Sequence, residues 1–255
     1  GFTALTGSAG ADIMRGGSAA ETINGAAGAD NLWGYTGNDS LIGGAGADTY
    51  WFTTGDGSDT IGNDSVNNKL DVVRFSGLSF NDLSFGVAVG SDLTIAVGGT
   101  DSLTLTNWAS YADATAAKAA TANLYRVNTF VTDDKTFGLA IGNDTATSLV
   151  GTSMDDYILG GLANDTLKGG AGVDSLYGGA GNDLIYYSTE DAVFNGGNDV
   201  DTLSAAASTA AVEINLYDSK ISNIEYLQGS TLGDILRGSD ASGETLDGGK
   251  GTDNI

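Results

Sequence analysis

From Gly7 an apolar residue recurs at every ninth position, at Met14, Ile23, Leu32, Leu41 and Tyr50. Two residues before each stands an acid: Asp12, Glu21, Asp30, Asp39 and Asp48. The units read GSAGADIMR, GGSAAETIN, GAAGADNLW, GYTGNDSLI and GGAGADTYW. Glycines at the first, second and fourth places permit tight turning at φ > 0. The last three residues of each unit then form a short strand whose single inward side chain is the eighth. Two units make one coil of two strands and two turns, and coils stack at the sheet spacing of about 4.8 Å. A run of hairpin loops would vary in length, whereas this period is fixed.

A second array begins at Gly151 with GTSMDDYIL, GGLANDTLK, GGAGVDSLY and GGAGNDLIY. It carries Asp156, Asp165, Asp174 and Asp183 at the sixth place and Ile158, Leu167, Leu176 and Ile185 at the eighth. The period continues through YSTEDAVFN, where Phe194 fills the apolar slot and Ala192 the acidic one, and resumes with Asp201 and Leu203 in GGNDVDTLS. A third array opens with GSTLGDILR, giving Asp234 and Leu236; after a ten-residue step it reaches Asp253 and Ile255. Both ends cut the pattern within a repeat, which predicts that the 255 residues are part of a longer polypeptide.

Between the first two arrays the runs LDVVRFSG, DLSFGVAVG, SDLTIAVGG and DSLTLTNW predict further strands, with Leu70, Val72, Leu93, Ile95, Leu103 and Leu105 in the core. Alanine-rich residues 109–125 predict one helix. Trp108, Tyr111 and Tyr125 read as core or capping aromatics rather than a sugar platform. Strands YRVNTFV and TFGLAI follow, and GNDTATSLV leads into the second array with Leu149 inward. In 205–228, Glu213 and Glu225 read as outward residues of strands, not as a glycosidase pair.

The chain contains 40 glycines and no proline, so its glycine needs a structural reason. Its formal net charge of −23 disfavours nucleic acid and anionic membrane as partners. With neither cysteine nor histidine, thiol chemistry, ordinary zinc sites and a Ser-His-Asp triad are excluded. Oxygen ligands remain, and these suit hard cations such as Ca²⁺. No apolar run reaches the length of about eighteen residues that a membrane-spanning helix needs.

The units resemble the glycine-rich nonapeptide G-G-x-G-x-D-x-U-x of the repeats-in-toxin family. The resemblance covers residues 7–51, 151–204 and 229–255; YWFTTGDGSDTI at 50–61 resembles the segment that closes such an array. It implies an all-β parallel β-roll solenoid in three calcium-binding arrays, interrupted by a β-rich insert. The boundaries are 1–61 for the first roll, 62–141 for the flanking module, 142–204 for the second roll, 205–228 for a calcium-free coil and 229–255 for the third.

Stacking sets Asp12 over Asp30, Asp30 over Asp48, Glu21 over Asp39, Asp156 over Asp174, Asp165 over Asp183 and Asp183 over Asp201. Bare carboxylates about 5 Å apart repel by about 3 kcal/mol at an effective dielectric of 20. An ion with oxygen bonds of about 2.3–2.6 Å spans two rungs; magnesium, at about 2.1 Å, spans too little. The resemblance implies that sixth-position acids of two turns share each ion with carbonyls of the glycine turns. On this sequence these are the acids above with Asp59, Asp234 and Asp253, and the carbonyls of Gly28, Gly37, Gly44, Gly46, Gly170, Gly172, Gly179 and Gly181. Counting pairs, Asp234/Asp253 included, gives about seven Ca²⁺ ions, offsetting about fourteen of the 23 negative charges. Glu21 predicts a weaker site, Ala192 a missing ligand beside Asp174, and Asp199 a solvent-facing acid; Asp56 and Asp59 compete to close the first array.

No catalytic constellation and no organic cofactor site appear. The reading is a calcium-dependent extracellular structural or adhesive segment of a secreted bacterial surface protein, an adhesin, surface layer or filament. It folds on meeting external calcium, with self-association or other surface components as partners. The resemblance implies a Gram-negative type I secretion route. The alternative is the noncatalytic tail of a secreted enzyme or toxin.

Overall fold

The computed structural model describes residues 1–62, 71–86, 92–106, 127–142, 146–239 and 243–255. They form strands, turns and one 3-10 turn at Phe80–Asp82. The helix expected at 109–125, and Trp108, Tyr111, Tyr125 and Leu70, lie outside the described residues. Two compact units divide the chain, Gly1–Phe137 and Gly138–Ile255.

In the first unit three-residue strands fall on the last third of each nonapeptide: Ile13–Arg15, Thr22–Asn24, Asn31–Trp33 and Ser40–Ile42. Each pairs in parallel with the strand one coil later, so Met14 lies beside Leu32, Ile23 beside Leu41 and Leu32 beside Tyr50. Alternate strands therefore build two sheets, with the eighth residues buried between them. Burying each such side chain contributes about 2 kcal/mol, and the small turn residues have no other apolar surface to offer.

The inward column continues beyond the nonapeptides with one change from expectation. Thr49–Phe52 pairs in parallel with Asp71–Phe75, placing Val73 beside Tyr50 and Phe75 beside Phe52. Val73 and Phe75 are buried and Val72 is only half-buried, so the predicted core position is displaced by one residue. The register follows Asp71, whose carboxylate binds the Asp48 N–H. Ser58–Ile61 pairs in parallel with Asp101–Leu105, which turns antiparallel onto Leu93–Val97 and then Leu83–Phe85. Leu93, Ile95, Leu103 and Leu105 are buried as their alternation predicts.

Outside one sheet of this unit, ninth-position side chains form a ladder. The Trp33 and Trp51 rings stack at 5.2 Å between centroids, with the Arg15 guanidinium 4.8 Å from Trp33 and that of Arg74 5.5 Å from Trp51. Trp51 Nε1 donates to Asn31 Oδ1 at 3.2 Å.

The second unit repeats the plan. Ser148–Val150, Thr166–Lys168, Leu184–Tyr186, Thr202–Ser204, Tyr226–Gln228 and Thr245–Asp247 make one parallel sheet. Asp156–Gly161, Ser175–Gly179, Val193–Gly197 and Ile221–Ser222 make the facing column. Leu167, Ile185, Leu203 and Leu227 from the first set, and Ile158, Leu176 and Phe194 from the second, have no exposed surface. The sheet therefore continues into 205–228, where Leu227 takes the place of an eighth residue 24 positions after Leu203.

Candidate metal centre

The strand register brings sixth-position acids into columns, and each column is tied through its main chain. Asp30 Oδ1 accepts the Asp12 N–H at 2.8 Å, and Asp48 Oδ1 accepts that of Asp30 at 2.9 Å. Asp39 likewise binds Glu21, and Asp59 binds Asp39, which selects Asp59 over Asp56 as the stacked acid. Asp174 binds Asp156, Asp183 binds Asp165, Asp201 binds Asp183 and Asp253 binds Asp234 by the same contact, at 2.7–2.9 Å. Asp56 instead accepts the N–H and hydroxyl of Thr53.

Except at Asp59, whose turn opens on Thr54, the second oxygen of each carboxylate points at the first glycine of its own repeat. A Cβ added at Gly25 would collide with Asp30 Oδ2 and the Gly43 carbonyl; one at Gly178 would strike Asp183 Oδ2 and the Gly196 carbonyl. Glycine is required because carboxylate and next-coil carbonyl converge where a side chain would stand. At Asp30, Asp39, Asp59, Asp165, Asp183 and Asp201 this Oδ2 is buried and accepts no hydrogen bond. A buried carboxylate oxygen without a donor is costly unless a cation meets it.

Other acids are closed by their own turn. Ser8 N–H and Oγ bind Asp12 Oδ2, Gly17 N–H binds Glu21 Oε2, Thr152 binds Asp156 Oδ2 and Ser230 binds Asp234 Oδ2. The second residue of the repeat separates the two kinds. It adopts a left-handed φ before the open acids Asp30, Asp39, Asp183 and Asp201: Ala26 at 74°, Tyr35 at 62°, Gly179 at 109° and Gly197 at 110°. That conformation turns the N–H away from the carboxylate. For Ala26 and Tyr35 it is strained, and strain of this kind gathers where a ligand is held.

Burial raises seven carboxylic acids of these columns. Asp183 and Asp59 are pushed up to about 7 and Asp201 and Asp156 to about 6, first by desolvation, with neighbouring carboxylates adding to it. Asp30, Asp39 and Asp165 move in the same direction, again chiefly through burial.

Three further acids join the columns where the nine-residue period fails. Asp71 binds the Asp48 N–H at 2.9 Å, Asp191 binds that of Asp174 at 3.4 Å and Glu225 Oε2 binds that of Asp201 at 2.9 Å. The slot read as Ala192 is thus served by its neighbour Asp191. Asp71 and Glu225 each stand two residues before an inward side chain, Val73 and Leu227. That acid-x-apolar spacing, without the glycines, would have found them. At Asp48 the turn is altered: Tyr50 Oη reaches Gly43 and accepts its N–H at 2.9 Å. At Asp191 the Lys220 ammonium lies 5.6 Å from the Tyr187 ring and 5.7 Å from Phe194, and donates to the Asp191 carbonyl at 3.4 Å. Asp199, at φ 77°, is exposed and accepts the Gly181 N–H at 3.1 Å.

Among the described residues no group of three or more carboxylates is arranged to hold a metal alone. An ion held here would need main-chain carbonyls for the rest of its shell, and carboxylate and carbonyl oxygens converge at Gly25 and Gly178. Parallel coils with glycine turns and rung-to-rung carboxylates define a cation-binding β-roll. A family model for the RTX calcium-binding nonapeptide repeat matches four times, over residues 4–20, 15–50, 24–61 and 150–185. The matched stretches, 4–61 and 150–185, are RTX nonapeptide repeats, a calcium-binding repeat. No curated protein matches the chain. Among the described residues no helix is long and apolar enough to cross a membrane.

Proposed function

We propose that the chain is a calcium-folded structural segment of a secreted bacterial surface protein, exported unfolded by a type I route and set by external calcium. The observation that carries this reading is the series of buried carboxylate oxygens without hydrogen-bond donors at successive rungs. Ions belong first at the open steps Asp30/Asp48, Asp39/Asp59, Asp165/Asp183 and Asp183/Asp201. The closed turns at Asp12, Glu21, Asp156 and Asp234 release their own donors before accepting an ion, so they fill later; with Asp39/Asp59 added, this makes about eight steps rather than the seven pairs counted from the sequence. Gly28, Gly46, Gly172 and Gly181 supply carbonyls from the same turns, as do Gly37, Gly44, Gly170 and Gly179.

Extracellular modules bind calcium at about 10⁻⁴–10⁻³ M, so cytosolic calcium leaves the coils unmade and external calcium makes them. The role is structural and adhesive rather than catalytic, with a solenoid surface suited to self-association. The test is a Ca²⁺ titration of chelator-treated protein followed by far-ultraviolet circular dichroism. The β signal rises near millimolar calcium and not with magnesium; a β-rich spectrum in chelator at neutral pH, unmoved by calcium, would sink the reading.

A further inference from the structure

Beyond its last nonapeptide the second array meets a return coil that the sequence reads as calcium-free. The acid column does not stop there. Asp201 is fully buried; its Oδ1 accepts the Asp183 N–H at 2.8 Å, and its Oδ2 has no hydrogen-bond donor. A Cβ at Gly196 would collide with that Oδ2 and with the Asn223 carbonyl. One coil earlier the same test at Gly178 finds Asp183 Oδ2 and the Gly196 carbonyl. Asn223 thus stands where a repeat's first glycine would, though it belongs to no repeat.

The remaining contacts reproduce the regular step. Glu225 Oε2 takes the Asp201 N–H at 2.9 Å, as Asp201 takes that of Asp183. The strand Tyr226–Gln228 pairs in parallel with Thr202–Ser204, fixing Glu225 in the acid column. Asn223 adopts φ 53°, and its Nδ2 binds Asn195 Oδ1 at 3.0 Å, which locks the turn. Glu225 and Asn223 border a groove of about 220 Å³ together with Ser239 and Glu244. The next acid, Glu244, is closed by the N–H and hydroxyl of Ser239, so the open series ends at Glu225.

We propose that Asp201, Glu225 and the carbonyl of Asn223 form a further calcium site, one step past the repeats and marked by no glycine-rich motif. It rests on the reading of the open turns as calcium sites. Its ligands are two carboxylates and a turn carbonyl, the regular chemistry assembled from an irregular segment. The extra methylene of glutamate spans what an aspartate spans in a glycine turn. Calcium then stitches the return coil to the array, making residues 221–228 part of the calcium-dependent fold.

The test compares the full chain with Glu225→Gln, which keeps an oxygen for the Asp201 N–H and removes the charge. Calorimetric Ca²⁺ titration gives the stoichiometry, and hydrogen exchange with and without Ca²⁺ gives local protection. In the parent chain calcium slows exchange at least tenfold in both 165–186 and 221–228. Glu225→Gln binds one ion fewer and loses the protection of 221–228 while keeping that of 165–186. Unchanged stoichiometry with calcium-induced protection of 221–228 in the variant overturns the site. A parent chain that binds no calcium fails the wider reading instead. If Glu225→Gln also loses protection at 165–186, Glu225→Asp decides: protection of 221–228 then requires at least tenfold more calcium, with 165–186 unmoved, and equal requirements overturn the proposal.

Discussion

The two acid columns of the second unit share one stacking pattern and differ at both ends. One runs Asp165, Asp183, Asp201, each under a glycine turn and each with an unsatisfied buried oxygen. The other runs Asp156, Asp174, Asp191; its first acid is closed by Thr152, and its last lies in a turn where Tyr187 occupies the first glycine's place. There the Asp191 acid is pushed up to about 7, first by burial and then by the Asp174 charge, and the Lys220 ammonium over Tyr187 and Phe194 offsets only part of that. The tethered ammonium thus eases one stacked carboxylate in part, whereas an ion held between rungs would meet two at once. Only the mobile ion would make folding depend on calcium.

The largest effect that breaks or sustains this contrast comes from pH in the absence of calcium. Asp183 and Asp191 sit at about 7 and Asp201 and Asp156 at about 6 in the fold, raised chiefly by burial from an ordinary value of 3.8. The metal-free fold therefore holds more protons than the unfolded chain between pH 4 and 7, and its stability falls as pH rises through that window. In chelator the β signal persists at pH 5 and is lost by pH 8, where calcium restores it. A metal-free signal that is flat from pH 5 to 8 contradicts the assignment of these acids to the fold's charge load.

Smaller, and specific to one column, is the effect of Gly178→Ala. The new methyl meets Asp183 Oδ2 and the Gly196 carbonyl, the two oxygens an ion would share. Calcium affinity for the second array falls at least tenfold, about 1.4 kcal/mol. At Gly169 the nearest atoms to a new Cβ all belong to Asp174, so Gly169→Ala weakens calcium less. Equal losses in calorimetry would erase the difference between the columns. Smallest is Lys220→Met, which removes the tethered cation. It costs about 1 kcal/mol of stability at every calcium concentration and leaves the ion count unchanged. A variant that instead gains a calcium ion would show that the ammonium had been excluding one.

The nine-residue period carried most of the fold into view. Strand positions, the inward eighth residues and the acid columns from Asp12 to Asp48 and Asp156 to Asp183 follow from it, because each unit repeats one backbone path. It failed where the path lengthens or shortens between acids. Asp71 comes 23 residues after Asp48 and Glu225 comes 24 after Asp201, so glycine counting passes over both. Asp191 comes 17 after Asp174, one short, and its turn has no glycine to announce it. The division between open and closed acids was hidden for another reason. It depends on the φ of the second residue, and Ala26 and Tyr35 hold a conformation that their residue types do not advertise.

The Trp33–Trp51 ladder gives the first array a built-in optical ruler. The two indoles lie face to face only when their coils sit one strand spacing apart in register, with Arg15 and Arg74 closing the stack. Their mutual coupling measures the separation of rungs directly, independent of overall strand content. Winding of the array can thus be followed without any attached dye, and a slipped register is distinguishable from a properly wound one.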